Sequence, residues 1–262
     1  MKTAGMLIDW FRDKGSVLVA FSGGVDSAIV ARAALSALGD KAIAATADSA
    51  TFSKKELQHA KKLVREIGIE HVVFKENEFD NPRFSENPPD RCYHCRSTLI
   101  TGLKEIMVQR RLSVIVDGAN ADDSKQHRPG MRAMRENGVM SPLLELGFGK
   151  NAVRSIAREL GLSVAKKPAM ACLASRIPYG EVITMEKLRK IEEAEAYLRG
   201  LGFKELRVRH HRGIARIEVG EAEIPKAVEN SHKIAETLRR LGFSYVTLDL
   251  EGYRSGSMDE VL

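Results

Sequence analysis

The feature that most constrains this chain is an apolar run, Val17-Leu-Val-Ala-Phe21, that passes directly into Ser22-Gly-Gly-Val-Asp-Ser27 and then into Ala28-Ile-Val-Ala-Arg-Ala-Ala-Leu35. The first segment reads as a buried strand and the last as a helix, with the hexapeptide as the turn between them. Two adjacent glycines let the backbone point its amides inward, and a helix start adds unpaired N–H groups and the positive end of a dipole. Ser22, Gly23, Gly24, Val25, Asp26 and Ser27 are therefore candidates for a phosphate cradle. The lysine of the pattern G-x-x-x-x-G-K-[ST] is missing, so this is not the loop that typically serves cleavage at a terminal phosphate. A glycine turn without a ligand is the plain alternative, and the strand and helix on either side argue against it.

Further apolar runs at Ala42–Ala47, His71–Phe74 and Ser113–Val116 alternate with helical patterns at Ala28–Leu38, Lys54–Ile67 and Thr98–Arg110. Ser53 followed by Glu56 is a capping-box signature opening the second of these helices. Such alternation predicts an α/β fold with a parallel sheet and helices on both faces. Ligands on such sheets bind beyond the carboxyl ends of the strands, which is where Ser22–Ser27, Asp48 with Ser49, and Gly118–Asp123 fall. Asn77–Asp90 is polar and rich in proline, and a connection of this length without a helical or strand period is often functional. A second irregular stretch, Lys166–Gly180, leads into a different pattern: a charged helix at Met185–Arg199, alternating strands at Glu205–His211 and Ile214–Val219, a helix at Glu223–Leu241 and a strand at Phe243–Leu250. The expected organisation is a nucleotide-binding domain over 1–180 and a small α+β domain over 181–262 that binds substrate or mediates oligomerisation.

With 262 residues, 44% of them hydrophobic, the chain can bury a substantial core. No apolar stretch reaches the roughly 20 residues needed to span a bilayer, and the charged N-terminus lacks a cleavable signal pattern. A cytoplasmic protein without membrane contact is expected. The net charge of +6 is uneven: residues 181–262 carry 14 Lys/Arg against 15 Asp/Glu, leaving 27 against 20 on residues 1–180. A basic excess around a phosphate loop suits an anionic nucleotide. Only five tyrosines and no basic–aromatic interleaving disfavour a nucleic-acid partner.

Three cysteines in a chain of this kind do not suggest a disulfide framework. Cys92-Tyr-His-Cys95 is a CxxC at a helix start, open to reading as half a zinc site, a redox pair or part of an iron–sulfur site. Cys172 lies in Ala171-Cys-Leu-Ala-Ser-Arg176. Three thiolates would leave one iron of a [4Fe–4S] cluster open to an exogenous sulfide. The bland alternative is a helix start and a small buried hydrophobe.

Ser22–Ser27 resembles the loop of the PP-loop ATP pyrophosphatases. Together with Pro88–Arg96, Gly118–Asp123, Ala171–Gly180, Arg207-Val-Arg-His-His211 and Gly252–Ser257, it makes the chain similar over almost its whole length to one family within that group, the ATP-dependent sulfur transferases called LarE. The resemblance implies an adenine nucleotide alpha hydrolase-like PP-loop domain, with ATP and Mg2+ as cofactors. It also implies sulfur insertion into pyridinium-3,5-biscarboxylic acid mononucleotide during assembly of the nickel-pincer nucleotide of lactate racemase. ATP adenylates a carboxylate, pyrophosphate leaves, and a sulfur nucleophile displaces AMP. Ser22–Ser27, Asp48, Ser49, Gly118 and Asp122 would bind the nucleotide, with Asp26 as a magnesium ligand and Asp122 or Asp123 as further candidates; a cap or loop role is the alternative for these carboxylates. Arg207 and Arg209, at i and i+2 on one strand face, would clamp a phosphate, and Ser175 and Arg176 would reach the same ligand. Solvated arginines are the alternative there. Glu195 is a candidate for acid–base or phosphate-site work, or an exposed helix charge.

The family includes a variant in which the cysteine at the Cys172 position gives up its own sulfur, and one in which three cysteines hold a [4Fe–4S] cluster carrying an extra sulfide from an external donor. Cysteines at 92, 95 and 172 favour the cluster. Higher homo-oligomers are implied by the resemblance alone. Three rivals are a tRNA thiolation enzyme, an ammonia-using synthetase of the NAD or GMP type, and a non-catalytic nucleotide or metal sensor.

Overall fold

A computed structural model describes residues 2–123, 129–167 and 171–254. Pro168 and residues 255–257, which belong to stretches singled out above, lie outside the described residues. In chain order the elements are α1 (Ala4–Phe11), β1 (Val17–Ala20), α2 (Val25–Leu38), β2 (Ala42–Asp48), α3 (Lys54–Ile67), β3 (Glu70–Lys75), α4 (Pro82–Glu86), α5 (Arg91–Gln109) and β4 (Val114–Val116). They continue with α6 (Pro129–Glu136), α7 (Pro142–Glu145), α8 (Lys150–Glu159), α9 (Met185–Gly200), β5 (Leu206–His211), β6 (Ile214–Val219), α10 (Ile224–Glu229), α11 (Ser231–Arg240) and β7 (Tyr245–Leu248). The chain forms two compact units, Met1–Asn81 with Asp90–Met170, and Pro82–Pro89 with Ala171–Leu262.

In the first unit the strands run parallel in the order β3-β2-β1-β4, with Val17 opposite both Ala42 and Val114. Successive side chains point to opposite faces. Val17, Val19, Ala42 and Ala44 pack with α1, α2, α3 and α8, while Leu18, Ile43, Ala45 and Ile115 pack with α5 and α6. Coverage of both faces explains why β1 is continuously apolar rather than alternating. β1 has β2 on one side and β4 on the other, so the crevice outside the carboxyl ends of β1 and β4 is the point where strand order reverses. Open α/β sheets place their ligands there.

The second unit has a three-stranded sheet in the order β5-β6-β7. β5 and β6 form an antiparallel hairpin through Arg212-Gly213, whose φ values of 47° and 92° suit a two-residue turn in a right-twisted ribbon. β7 joins β6 in parallel after α10 and α11. Leu198, Val208, Ile217 and Leu238 lie in its separate core. The segment around α4 is tied into this unit by the buried Asn87, whose side-chain amide donates to the carbonyls of Pro178 (2.6 Å) and Glu181 (3.1 Å).

Two expectations need correction. The pattern at Glu223–Leu241 is two helices, because Asn230 leaves the helical region at φ −95°, ψ 9° and its side chain takes the Lys226 carbonyl at 2.8 Å. Asn77–Asp90 is not structureless: it contains a short 3-10 turn at Glu78–Asp80 as well as α4. Among the described residues no helix is long and apolar enough to cross a membrane.

Candidate active site

Ser22–Ser27 leaves β1 and opens α2 at the switch point. Gly23 has φ 70°, a conformation that costs glycine little and other residues much, and a Cβ there would lie 3.0 Å from the Ala60 Cβ. The loop is folded on itself: Ser22 N donates to Ser27 Oγ (3.3 Å), and Ser27 Oγ donates to the Gly24 carbonyl (3.1 Å). α3, packed beneath, starts at Ser53, whose side chain accepts from Glu56 N as the capping signature predicts.

The loop after β4 approaches the same place. A Cβ on Gly118 would sit 2.8 Å from Ser27 N, so only glycine lets that backbone lie against the start of α2. Asn120, buried, donates to Asp26 Oδ1 at 2.9 Å, and its backbone N–H donates to Asp123 Oδ2 at 3.0 Å. Burial pushes the Asp26 carboxyl above the usual carboxylate range; the Asn120 amide works against this and the Asp123 charge adds to it. Two coupled carboxylates beside a phosphate loop would be relieved by a divalent cation, which typically takes one or two carboxylates together with phosphate oxygens. Asp122 faces another task as well: its Oδ2 accepts from Lys150 N (2.8 Å) at the first residue of α8, the capping role left open by the sequence.

Asp48, at the end of β2, is paired with Lys75 at 2.5 Å, and Ser49 Oγ lies 3.4 Å from Thr51 Oγ1. Thr51, between β2 and α3, donates to the buried Glu78 just beyond β3, and burial with the Glu78 charge pushes the Glu76 carboxyl up to about 8. Cys92 and Cys95 both lie on the first turn of α5, partly buried; at i and i+3 they share a face of the helix. The helix begins seven residues before the predicted Thr98, so it carries both thiols.

In the second unit Arg176 is 1% exposed and grips both oxygens of Glu195, at 2.9 and 3.3 Å. Its remaining donors reach the carbonyls of Ala171 and Cys172, each at 2.8 Å. Burial alone would raise the Glu195 carboxyl, but the Arg176 and Arg199 guanidiniums outweigh it and hold it below the usual range. Glu195 is thus a buried, paired carboxylate, not a solvated helix charge. Arg209 makes the same two-pronged contact with Glu218 (3.0 and 2.8 Å) and donates to the Ser175 carbonyl (2.9 Å), while Ser175 Oγ donates to the Cys172 carbonyl (2.8 Å). Two buried ion pairs therefore fix the turn that presents Cys172, whose own side chain is exposed. Arg207 differs. It is buried, stacks on Tyr253 at 5.1 Å, and among the described residues no carboxylate pairs with it. Burial and the Arg176 charge pull its pKa down, and its guanidinium donates to the Leu206 carbonyl at 2.9 Å.

Sequence reasoning missed Asn120, Glu218 and Lys167. Asn120 lies inside a quoted stretch with no motif to mark it. Glu218 had a signal, since Arg207-Val-Arg209 and Arg216-Ile-Glu218 alternate in step across a hairpin. Lys167 donates to the Gly23 carbonyl at 3.4 Å from a segment distant in sequence.

Among the described residues no three His, Cys, Asp or Glu side chains gather as a metal-binding group; two of the three thiols belong to the first unit and Cys172 to the second.

Comparison with known proteins gives the site its context. The family model for NAD synthase matches residues 11–86, the stretch holding the loop. An uncharacterized protein of Synechocystis sp. is 43% identical over 258 residues, covering 98% of this chain and 96% of that protein. The pyridinium-3,5-bisthiocarboxylic acid mononucleotide synthase of Lactiplantibacillus plantarum is 38% identical, over 98% of this chain and 93% of its own length. An uncharacterized protein of Methanocaldococcus jannaschii is 30% identical over 97% of both chains. With a lysine-free phosphate loop at the switch point and likeness to a named synthase over nearly its whole length, the chain belongs to the LarE family of ATP-dependent sulfur transferases, within the PP-loop ATP pyrophosphatases.

Proposed function

We propose that this protein converts the carboxylates of pyridinium-3,5-biscarboxylic acid mononucleotide to thiocarboxylates, a step in nickel-pincer nucleotide assembly. A carboxylate oxygen attacks the α-phosphorus of ATP, the α–β bridging P–O bond breaks and pyrophosphate leaves with the displaced electron pair. A sulfur nucleophile then attacks the acyl carbon, the C–O bond to AMP breaks, and the thiocarboxylate remains. Ser22–Ser27 amides meet the charge on the departing pyrophosphate, a preorganised contribution commonly worth a few kcal/mol per donor. Asp26 holds Mg2+ with Asp123, Gly118 keeps the backbone close, and Asp48 and Ser49 border the nucleoside. Arg207 takes the phosphate of the substrate mononucleotide. Arg176, Arg209, Ser175 and Glu195 hold the Cys172 turn beside it in sequence and fold.

Three thiols suit a [4Fe–4S] cluster with one open iron: two stand on one turn of α5 and the third is exposed. Cys92, Cys95 and Cys172 would hold it, and when bound it would supply an added sulfide from an external donor as the nucleophile. The exposure of Cys172 also favours a second reading, in which its own sulfur is transferred. The observation carrying the assignment is the Ser22–Ser27 loop against Gly118, with the coupled Asp26 and Asp123. Its test is pyrophosphate release from Mg-ATP. Release on adding the pyridinium dicarboxylate mononucleotide is expected; ATP binding with no release under any sulfur supply would overturn it and favour a nucleotide sensor.

A further inference from the structure

The phosphate loop brings no lysine in its own motif, yet an ammonium group stands against it. Lys167 Nζ donates to the Gly23 carbonyl at 3.4 Å and pairs with Glu56 Oε2 at 2.5 Å. Both side chains are largely out of solvent, 17% and 12% exposed. Nothing about this arrangement is loose. Arg154 on α8 donates to the carbonyls of Ala165 (3.0 Å) and Lys167 (3.1 Å), fixing the backbone that delivers the lysine. Glu56 lies in the first turn of α3, capped by Ser53, and the same helix presses Ala60 against Gly23. One turn along α3 from Glu56, the ring Nε2 of His59 is buried with no hydrogen-bond partner.

We infer that Lys167 is a binding residue for the pyrophosphate end of ATP, held at the loop by Glu56. This rests on the loop being an ATP site, as proposed above. An ammonium has three donors, and the contacts to Gly23 and Glu56 use two. The third remains for a phosphate oxygen. The pairing also explains why a carboxylate is tolerated so near an anion site: Glu56 would repel phosphate unless neutralised, and Lys167 neutralises it. Lysine serves phosphate as a compact point charge, which a loop of backbone amides lacks. Burial, and after it the Lys167 charge, push the His59 pKa down. A lysine that merely tied the loop in place would make the same two contacts, and charge distinguishes the roles.

The test is calorimetric titration of full-length protein with magnesium pyrophosphate, beside Mg-ATP, for wild type, Lys167→Met and Glu56→Gln. Lys167→Met should weaken pyrophosphate binding by about tenfold or more. Glu56→Gln, which removes the opposing charge and leaves the ammonium to the ligand, should match or exceed wild-type affinity. Unchanged affinity in Lys167→Met overturns the inference, and so does equal weakening in both variants, the signature of a tether. If Lys167→Met does not fold, the Glu56→Gln result decides alone, and weaker binding there overturns the inference. A wild-type protein that binds neither Mg-ATP nor pyrophosphate fails the ATP-site reading itself, a separate outcome.

Discussion

Glu76 lies just past β3, half-buried, with the Glu78 carboxylate as neighbour and only the pull of Arg96 to offset them. Its carboxyl is raised from 4.5 to about 8. Between these values the folded protein holds a proton that the unfolded chain has released. Stability therefore falls as pH rises from about 4.5 to about 8 and is level above that. Glu76→Gln keeps the shape without the titration. Urea denaturation at pH 5, 6.5 and 8 should show a shallower decline for the variant and a gain over wild type at pH 8. Parallel profiles would mean that Glu76 ionises as an exposed carboxyl does. At this scale the sequence was legible where chemistry repeats in a short motif, as in Ser22–Ser27. It was not legible for Glu195, because a glutamate in a charged helix gives no sign of which face is buried. Nor was it for Arg176 and Arg209, whose bidentate partners are 19 and 9 residues away. A breaking of either buried pair by neutralising one partner leaves an uncompensated charge, commonly a loss of about 3–5 kcal/mol.

Elements bring these residues together through close backbone approach. β4 ends so near the start of α2 that a methyl group on Gly118 would meet Ser27 N at 2.8 Å and the Asp26 carbonyl carbon at 3.1 Å. Backbone on both sides cannot rotate out of the way as a side-chain tip can. Gly118→Ala should displace the loop rather than unfold the sheet, since β1, β2 and β3 keep their pairing. Mg-ATP affinity is expected to fall by about tenfold or more, read by calorimetry, with the thermal midpoint lowered by only a few degrees. Normal ATP affinity in that variant would show that the loop does not need this approach. The parallel sheet was readable because both faces are buried, which makes its strands near-continuous apolar runs. The break at Asn230 was not, since the apolar period of α10 and α11 runs on across a residue whose side chain adds a second hydrogen bond to the Lys226 carbonyl beside the backbone one. α4 is too short at five residues to show a period, and what fixes its segment is Asn87 donating to carbonyls some 90 residues away.

At the scale of the molecule the chain passes between the units three times, and the cysteines follow two of these passages: Cys92 and Cys95 come after residue 89, Cys172 after residue 170. Spacing in sequence hides this, because a contact between distant segments leaves no local period. The thiols divide two and one between units with separate cores, so the cluster and sacrificial mechanisms make opposite demands on them. If all three are ligands, oxygen-free protein should carry about four iron and four acid-labile sulfide per chain, the composition of a [4Fe–4S] cluster. Cys92→Ala and Cys172→Ala should then each lose most of the iron and the visible absorption, although the two substitutions fall in different units. If Cys172 gives up its own sulfur, iron is absent from the outset and Cys92→Ala supports one turnover as wild type does. Mass spectrometry then finds the Cys172 peptide lighter by the elements of hydrogen sulfide. Full cluster content in Cys92→Ala would remove that thiol from the ligand set, and an unaltered Cys172 peptide after turnover by iron-free protein would exclude the sacrificial route.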